Sequence, residues 1–544
     1  MTQEQSGQGV TRSSARATAG VALSRLSGLA RTPIVNAVFG AGVALDAFYT
    51  AFRFPNALRD LFADGALSSA FTKVLVEARA KGEHHEKQLV AKVTGCFLLL
   101  TLAIAICGSI YSKQFLILVS GAEFNKTGAV TLAGQLFALL VFYLPLTMVS
   151  SVCMAMLAVR GKTFRATVAA AMANVGVVFG ALILAPICVY INIQPIFGMA
   201  VGMILGGIFQ IAYQIMPLIK EKVFPFPDLN PLRLIQFKPL GDVFLLMGPR
   251  ILGQGAMVLA LLINTHFATD LAVGSMTNIT HAQVIILVPV GLFGVASGFA
   301  SLPTLTALAH KKEFVSFTSI LNKSLTNTLF LSAFTLLVFS ALAVPLCAML
   351  FWHGLGDIQS TVSTAVAVCA YGAGMVFNSG LKVLVQGFYA LGNTKYIVIN
   401  SFVYLAINAA LSAYLAPRYG IMGLGLSNSI SACADFILCQ FFLFKATNGE
   451  FKPKLIFVLL LIVFVFLFSA FGILNAQQFL AYWNLGVAKF NAPHFSFLIA
   501  TLLVGFGGTF LALAVLPLVY CFGSAEIKSV FTKIVKKIGV KIRN

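Results

Sequence analysis

Arginine and aspartate crowd two stretches near the start of the chain that are otherwise apolar. The first holds Ser24, Arg25 and Arg31, and the second holds Asp46, Arg53, Arg59, Asp60 and Asp64 around Pro55-Asn56. Ionisable groups inside a membrane are costly and face a cavity or a partner. A guanidinium stays charged in any protein environment and binds phosphate through a planar fork of donors, so three or four of them on one aqueous cleft would suit a diphosphate. Arg25 and Arg31 fall about 120 degrees apart on a helical wheel and would border a cavity rather than form a stripe. The competing structural reading is that Arg25 snorkels to an interface while Arg53 and Arg59 pair with Asp46, Asp60 or Asp64. Asp46 lies one heptad before Arg53 and serves as readily for a structural partner as for a coupling carboxylate. Pro55 removes a backbone donor and predicts a bent helix lining a cavity. The candidate substrate-binding residues are therefore Arg25, Arg31, Arg59, Ser24 and Asp46, with Arg53, Asn56, Arg250 and Lys382 as secondary candidates. Asp270, Asp435 and His266 read more readily as structural or satisfied polar groups.

The elements that must position these residues are membrane helices. The chain has 544 residues, 59% hydrophobic and only 10% charged, whereas soluble domains carry roughly a quarter charged residues. Apolar runs long enough to cross a bilayer are predicted at 20–39, 44–76, 89–112, 128–156, 167–190, 195–218, 240–269, 272–309, 317–351, 360–390, 396–416, 420–444, 455–474 and 496–522. The expected fold is an all-α membrane protein of about fourteen spans. The nine cysteines lie mostly inside apolar runs without metal-ligand spacing and read as small buried hydrophobes. No nucleotide loop, metal motif or nucleophile–base pair appears, which argues against an enzyme and leaves metals and cofactors out.

The formal net charge of +20 sits in the loops. Lys and Arg favour one set of alternate loops over the other by roughly six to one, which predicts cytoplasmic termini. This spread of charge, together with a basic tail suited to anionic lipid, argues against a nucleic-acid partner. A repeat is also visible. Gly161-Lys162-Thr163 opens a span ending at Leu184-Ala185-Pro186, and Gly392-Asn393-Thr394 opens one ending at Leu415-Ala416-Pro417. A Gly-rich helix follows each, from Ile196-Phe197-Gly198 and Ile421-Met422-Gly423. The expected organisation is a disordered tail (1–18), an N-lobe of six helices (19–219), a cytoplasmic linker (220–239), a C-lobe of six (240–446), two added helices (455–522) and a basic cytoplasmic tail (523–544). The two pseudo-symmetric lobes are expected to flank a central cleft and to work by alternating access.

The ordered run Ser24 to Arg31, Phe39-Gly40-Ala41-Gly42, Asp46-Ala47-Phe48, Phe54 to Arg59 and Phe62 to Phe71 resembles the N-terminal signature of the MurJ (MviN) family. Further matches are Gly248-Pro249 with Ile263-Asn264-Thr265, Pro289 to Ala296, and Lys382 to Tyr389. The resemblance implies the fold of the multidrug/oligosaccharidyl-lipid/polysaccharide (MOP) exporter superfamily, and transport of lipid II, the undecaprenyl-diphosphate-linked peptidoglycan precursor. It implies essential arginines matching Arg25, Arg31 and Arg59 and a functional aspartate matching Asp46. Two positions depart from the pattern: Thr32 stands where an acidic residue is usual, and Gln283-Val284 where an Asp-Arg pair is common.

These readings favour a flippase in the bacterial inner membrane, whose partners are lipid II, membrane lipids and, left open, the cell-wall synthesis machinery. A flippase for another polyprenyl-diphosphate glycan, a drug or cation antiporter of the same superfamily, and a scaffold are the alternatives. Without a nucleotide site, the energy is expected from the membrane potential or an ion gradient, each charge moved being worth about 2.3 kcal/mol per 100 mV.

Overall fold

The computed structural model describes residues 3–452 and 455–490, and all regular structure among them is helical. α1 runs from Gln3 to Phe39. α2 (Val43–Arg59) passes through a π-helical stretch, Asp60–Leu67, into α3 (Ser68–Ala80). The longer helices that follow are α4 (Glu83–Ile110), α5 (Ala129–Val159), α6 (Thr163–Tyr190), α7 (Ile196–Lys220), α8 (Lys238–Thr269), α9 (Ser275–His310), α10 (Phe314–Phe351), α11 (Ile358–Leu391), α12 (Lys395–Ala446) and α13 (Leu455–Phe490). Ten helices among the described residues are long and apolar enough to cross a membrane by length and composition. α1 and the α2–α3 helix, which carry the arginines and aspartates, are not among them.

Two expectations change. The segment 3–18, expected to be a disordered tail, belongs to the first helix, nucleated by the apolar stretch that follows, despite Gly7 and Gly9. The second helix does not break at Pro55; it runs on, and the irregularity falls further along as the π stretch Asp60–Leu67. The expected spans 396–416 and 420–444 are present as two helices within α12, which folds back on itself at Gly420 (φ +57°) just past Pro417, so that Ser412 Oγ lies 2.8 Å from Ser427 Oγ and Asn428 Nδ2 donates to Tyr404 Oη at 2.7 Å. The expected span 496–522 and the basic tail 523–544 lie outside the described residues.

The chain divides into two compact units, one of residues 1–277 with 353–356, the other of 278–352 with 357 onward. In the first, Phe71, Leu75, Val90, Val93, Phe97, Leu144, Met148, Val152 and Met156 form one buried core from α3, α4 and α5. The segment expected to be the linker lies on α4: the Asp228 amide donates to the Ala91 carbonyl at 3.0 Å. A Cβ on Gly95 would overlap the Asp228 carbonyl. The end of α5 is tied to the start of α4 by an ion pair between Arg160 and Glu86 at 2.5 Å, both largely buried. Lys162 pairs with Glu221 beside it and holds that carboxyl below the usual glutamate range.

In the second unit α11 packs against α10, α12 and α13 around Phe377, Phe388 and Phe436. α13 is anchored through Ser469, whose hydroxyl donates to the Cys369 carbonyl at 2.9 Å, and through Asn475, which donates to the Ser340 carbonyl. Its outer side exposes Ile456, Leu459, Leu460, Val463, Leu467 and Leu474, a helical stripe suited to lipid.

The predicted repeat appears in backbone detail within each unit. Gly161 and Gly392 both take left-handed φ, +74° and +71°. In the first copy the Gly161 amide donates to Ala158 at 3.0 Å and the Lys162 amide to Leu157 at 2.9 Å. In the second, the Gly392 amide donates to Tyr389 at 3.2 Å and the Asn393 amide to Phe388 at 3.0 Å. Both are the same glycine-terminated helix end. A Cβ on Gly198 would stand 2.6 Å from the Leu184 carbonyl carbon, and one on Gly423 also 2.6 Å from that of Leu415. The Gly-rich helix therefore presses on the same Leu-Ala-Pro peptide in both copies.

α6 and α7 cross closely through Gly176, Gly180, Gly198, Gly202 and Gly206. A Cβ on Gly202 would lie 2.4 Å from the Gly176 carbonyl oxygen and 2.6 Å from the Gly180 Cα. Such small-residue contacts draw membrane helices together by backbone packing. A leucine at Gly202 has backbone rather than flexible side chain to displace, an overpacking of about 1–3 kcal/mol or more. Gly202→Leu is expected to cut the folded, monodisperse fraction in detergent severalfold, whereas Gly241→Leu, where an added Cβ meets nothing within 4 Å, should leave it unchanged.

Candidate functional site: an arginine pair in the first unit

Arg31 sits on α1 in a stripe with Ser24, Ser27 and Gly28, at the i, i+3, i+4, i+7 spacing that shares one helical face. That face meets Asn174 of α6. Arg31 Nη1 donates to Asn174 Oδ1 at 3.1 Å, and Asn174 Nδ2 donates to Ser27 Oγ at 2.8 Å and to the Ser24 carbonyl at 3.3 Å. Gly28 faces the same amide, and a Cβ there would make ordinary van der Waals contact with Asn174 Nδ2 at 3.5 Å. The amide oxygen thus fixes one edge of the guanidinium, and a guanidinium carries five N–H donors. Ser24 takes part through its backbone carbonyl.

Arg59 is brought to the same neighbourhood from α2. Arg31 lies within electrostatic reach of Arg59, Tyr49 and Tyr143, both tyrosines being buried. Two cations held close enough to repel one another favour a multivalent anion between them. Arg59 Nε and Nη2 donate to a single oxygen of Asp60 at 3.2 and 2.7 Å, and Asn56 Nδ2 reaches the other oxygen at 3.4 Å. Asp60 is 55% exposed, and an ion pair so open to water contributes only about 0–1 kcal/mol. The predicted pairing with Asp60 is therefore present, and weak enough for a stronger anion to displace.

The other candidates are placed elsewhere. Arg25 falls off the α6-facing stripe and is exposed. Asp46 is 6% exposed and serves the start of α9: its carboxylate accepts from the Gly274 amide at 2.6 Å, the Thr277 amide at 2.8 Å and the Thr277 hydroxyl at 2.6 Å. Those amides are the unpaired donors of a helix N-terminus, so Asp46 caps α9 from another helix. Gly274 adopts φ +89° with the Ala41 carbonyl 2.8 Å from where a Cβ would stand, which makes the approach possible. Arg53 is buried and donates to Met276 Sδ at 3.1 Å, in the same region as Asp46. Lys382 belongs to the second unit. The side chain of Arg250, like that of Asp64, lies outside the described residues. Thr32, at the first departure from the family pattern, is 1% exposed and donates to the Gly28 carbonyl at 2.9 Å. A carboxylate at that buried position would need a counter-charge.

Asn174 escaped the sequence reading, although an asparagine in the middle of an apolar span is itself a signal. Among the described residues no three His, Cys, Asp or Glu side chains gather as metal ligands. Cys107 is exposed on α4, against the expectation that the cysteines are buried.

The described residues are all helical where regular, with ten helices long and apolar enough to cross a membrane, and share the fold of solved transporters of the MOP type. Solved structures with that fold include a lipid II flippase MurJ in an inward closed conformation (TM-score 0.68, 21% identity, 96% of this chain and 99% of that one). An inward-facing multidrug resistance MATE family transporter also shares it (TM-score 0.64, 15% identity, 79% and 98%). In sequence, residues 35–493 match the family described as "Lipid II flippase MurJ". The chain is 30% identical over 437 residues to the lipid II flippase MurJ of Burkholderia cenocepacia, covering 79% of this chain and 83% of that protein. It is 29% identical over 427 residues to the probable lipid II flippase MurJ of Vibrio cholerae, covering 76% and 79%. The chain belongs to the MurJ family.

The Asp46 cap makes a separable prediction. Asp46→Ala is expected to lower stability by about 0.5–2 kcal/mol, the usual worth of a helix cap. It should be read as a lower thermal midpoint in detergent, with Asp46→Asn, which keeps an acceptor oxygen, falling between. An unchanged midpoint in both variants would remove the capping role.

Proposed function

We propose that this protein flips lipid II, carrying the diphosphate-linked headgroup from the cytoplasmic to the periplasmic leaflet of the bacterial inner membrane, with both termini cytoplasmic. The observation that carries the reading is the convergence of Arg31 and Arg59, one held by Asn174 and the other by the exposed Asp60, in a member of the MurJ family. A diphosphate offers each guanidinium two oxygens at once, whereas Asp60 gives Arg59 one. The diphosphate therefore replaces Asp60 on Arg59 and occupies the donors of Arg31 that Asn174 leaves over. Arg25, exposed on the same helix, adds long-range attraction. The prenyl tail stays in lipid. No step consumes a nucleotide, and the membrane potential or an ion gradient supplies the energy.

Complementation of a strain depleted of its own flippase tests this, with membrane abundance measured alongside. Arg31→Lys and Arg59→Lys keep the charge and lose the fork, so growth should fail and lipid II should accumulate inside while protein level stays normal. If Arg59 is instead a structural partner, Arg59→Ala lowers protein level and the further change Asp60→Ala restores it. Normal complementation by both lysine variants rejects the diphosphate clamp. Normal lipid II turnover with accumulation of a different polyprenyl-diphosphate glycan would move the substrate, not the chemistry.

A further inference from the structure

The strap of chain between α7 and α8 has an apolar outer side as well as an apolar inner one. Inward, Val223, Phe224, Leu234, Phe237 and Leu240 pack with the core that holds Val90 and Leu218. Beyond the Asp228 bond to Ala91, the strap is tied to α4 by Lys92, whose Nζ donates to the Arg233 carbonyl at 3.3 Å and lies 4.3 Å from the centre of the Phe237 ring. Its middle is shaped from within. The Asn230 amide donates to Asp228 Oδ1 at 3.1 Å, and Asn230 Oδ1 accepts from the Leu232 amide at 3.1 Å, which starts the short helix Pro231–Ile235. Outward, Phe226 is 95% exposed, and Leu229 and Leu232 are exposed with it. Lys220, Lys222, Arg233 and Lys238 are exposed around them. The acidic residues of this stretch are already engaged, Glu221 by Lys162 and Asp228 by the strap's own turn.

The seat of the strap sets its depth. α4 opens with polar residues from Glu83 to Gln88, and its apolar run begins at Leu89. Ala91 and Gly95, which carry the strap, lie in the first two turns of that run. They share a helical face with Leu102 and Ile106, both exposed further along. On a span of this hydropathy those leucine and isoleucine side chains belong in hydrocarbon. The strap therefore crosses a lipid-facing side of α4 about 10 Å from Leu102, where acyl chains give way to headgroups. Apolar side chains at the acyl boundary with cations beside them are what a phospholipid surface binds. We infer that the strap is a membrane-surface anchor: Phe226, Leu229 and Leu232 enter the acyl boundary, while Lys220, Lys222, Arg233 and Lys238 hold the phosphates of anionic phospholipid. All of these groups belong to the first unit, and the anchor does not depend on the arginine site.

The test is fluorescence quenching of the full-length protein in nanodiscs of phosphatidylcholine, alone or mixed with phosphatidylglycerol. Trp352 and Trp483, the two tryptophans of the chain, are replaced by Phe, and Phe226→Trp supplies the probe. His85→Trp, on the exposed first turn of α4, is the water control. Phe226→Trp is expected to be quenched severalfold more by lipid brominated in the upper acyl chain than by aqueous iodide, and His85→Trp the reverse. In the mixed nanodisc, brominated phosphatidylglycerol should quench Phe226→Trp severalfold more than brominated phosphatidylcholine at equal mole fraction. Changing Lys220, Lys222, Arg233 and Lys238 together to Gln should bring that ratio close to one. If the background without tryptophan does not fold, both native tryptophans are kept and the increment over the parent is read. A strap reserved for a soluble protein partner would leave Phe226→Trp open to iodide, and a cover from elsewhere in the chain would close it to both quenchers; either result overturns the inference. So does a preference for phosphatidylglycerol that is absent, or that survives loss of the four cations.

Discussion

A guanidinium cannot shed its charge, and in a membrane protein that one constraint dictates much of what surrounds it. Arg31 is held by an amide oxygen from another helix, and the position of that amide depends on how its own helix packs. Gly28 on α1 lies against Asn174 at ordinary contact distance. Gly176 and Gly180, on α6 just past Asn174, lock the helix against Gly198, Gly202 and Gly206 of α7. The arginine's orientation is therefore set two helices away, by backbone touching backbone. The amide neutralises nothing; it orients the fork and leaves the charge to be met by water or by ligand.

The two buried aspartates show how differently one residue type is used. Asp46 spends its carboxylate on three hydrogen bonds at the head of α9, two of them to backbone amides. Asp435 has no such set among the bonds described, and lies near a lysine instead. A carboxylate at a helix N-terminus is stabilised by the aligned peptide dipoles as well as by the bonds themselves. This gives Asp46 an architectural role at a position where family resemblance implies a functional one. The two roles coexist without conflict, since a capped helix start is a fixed point about which a moving helix can be held.

The membrane class, the ends of most helices and the internal repeat were legible in the sequence because they rest on local chemistry: apolar run length, glycine at helix ends, proline beyond them. Gly161 and Gly392 end their helices with the same pair of backbone bonds, and Gly198 and Gly423 press on matching peptides. The residue types of the candidate site were legible, but not which of them meet: Arg31 lies within electrostatic reach of Arg59 and bonds to Asn174, Asn56 bonds to Asp60, and Arg25 is exposed. The rest depends on which helix lies opposite, and spacing within one helix does not carry that information. Asp46 was placed on a face with Arg53, yet its carboxylate accepts from Gly274 and Thr277, more than two hundred residues away. Asn174 was missed for the same reason. The path of the second helix was misjudged because its irregularity is the π stretch Asp60–Leu67, which no proline marks.

The Arg59–Asp60 pair bears on timing as much as on affinity. A carrier must let go of its cargo as well as take hold of it, and a site built only to grip would stall with its load in place. Asp60 is the next residue in the chain, so it never diffuses away and is present at a high effective concentration whenever a guided anion loosens. On the proposed diphosphate site, Asp60 takes back the guanidinium the moment one bond of the fork opens. On that proposal the leaving group departs from an arginine whose next partner is already waiting, and the dwell time of the cargo is shortened by a competitor that the protein carries on itself.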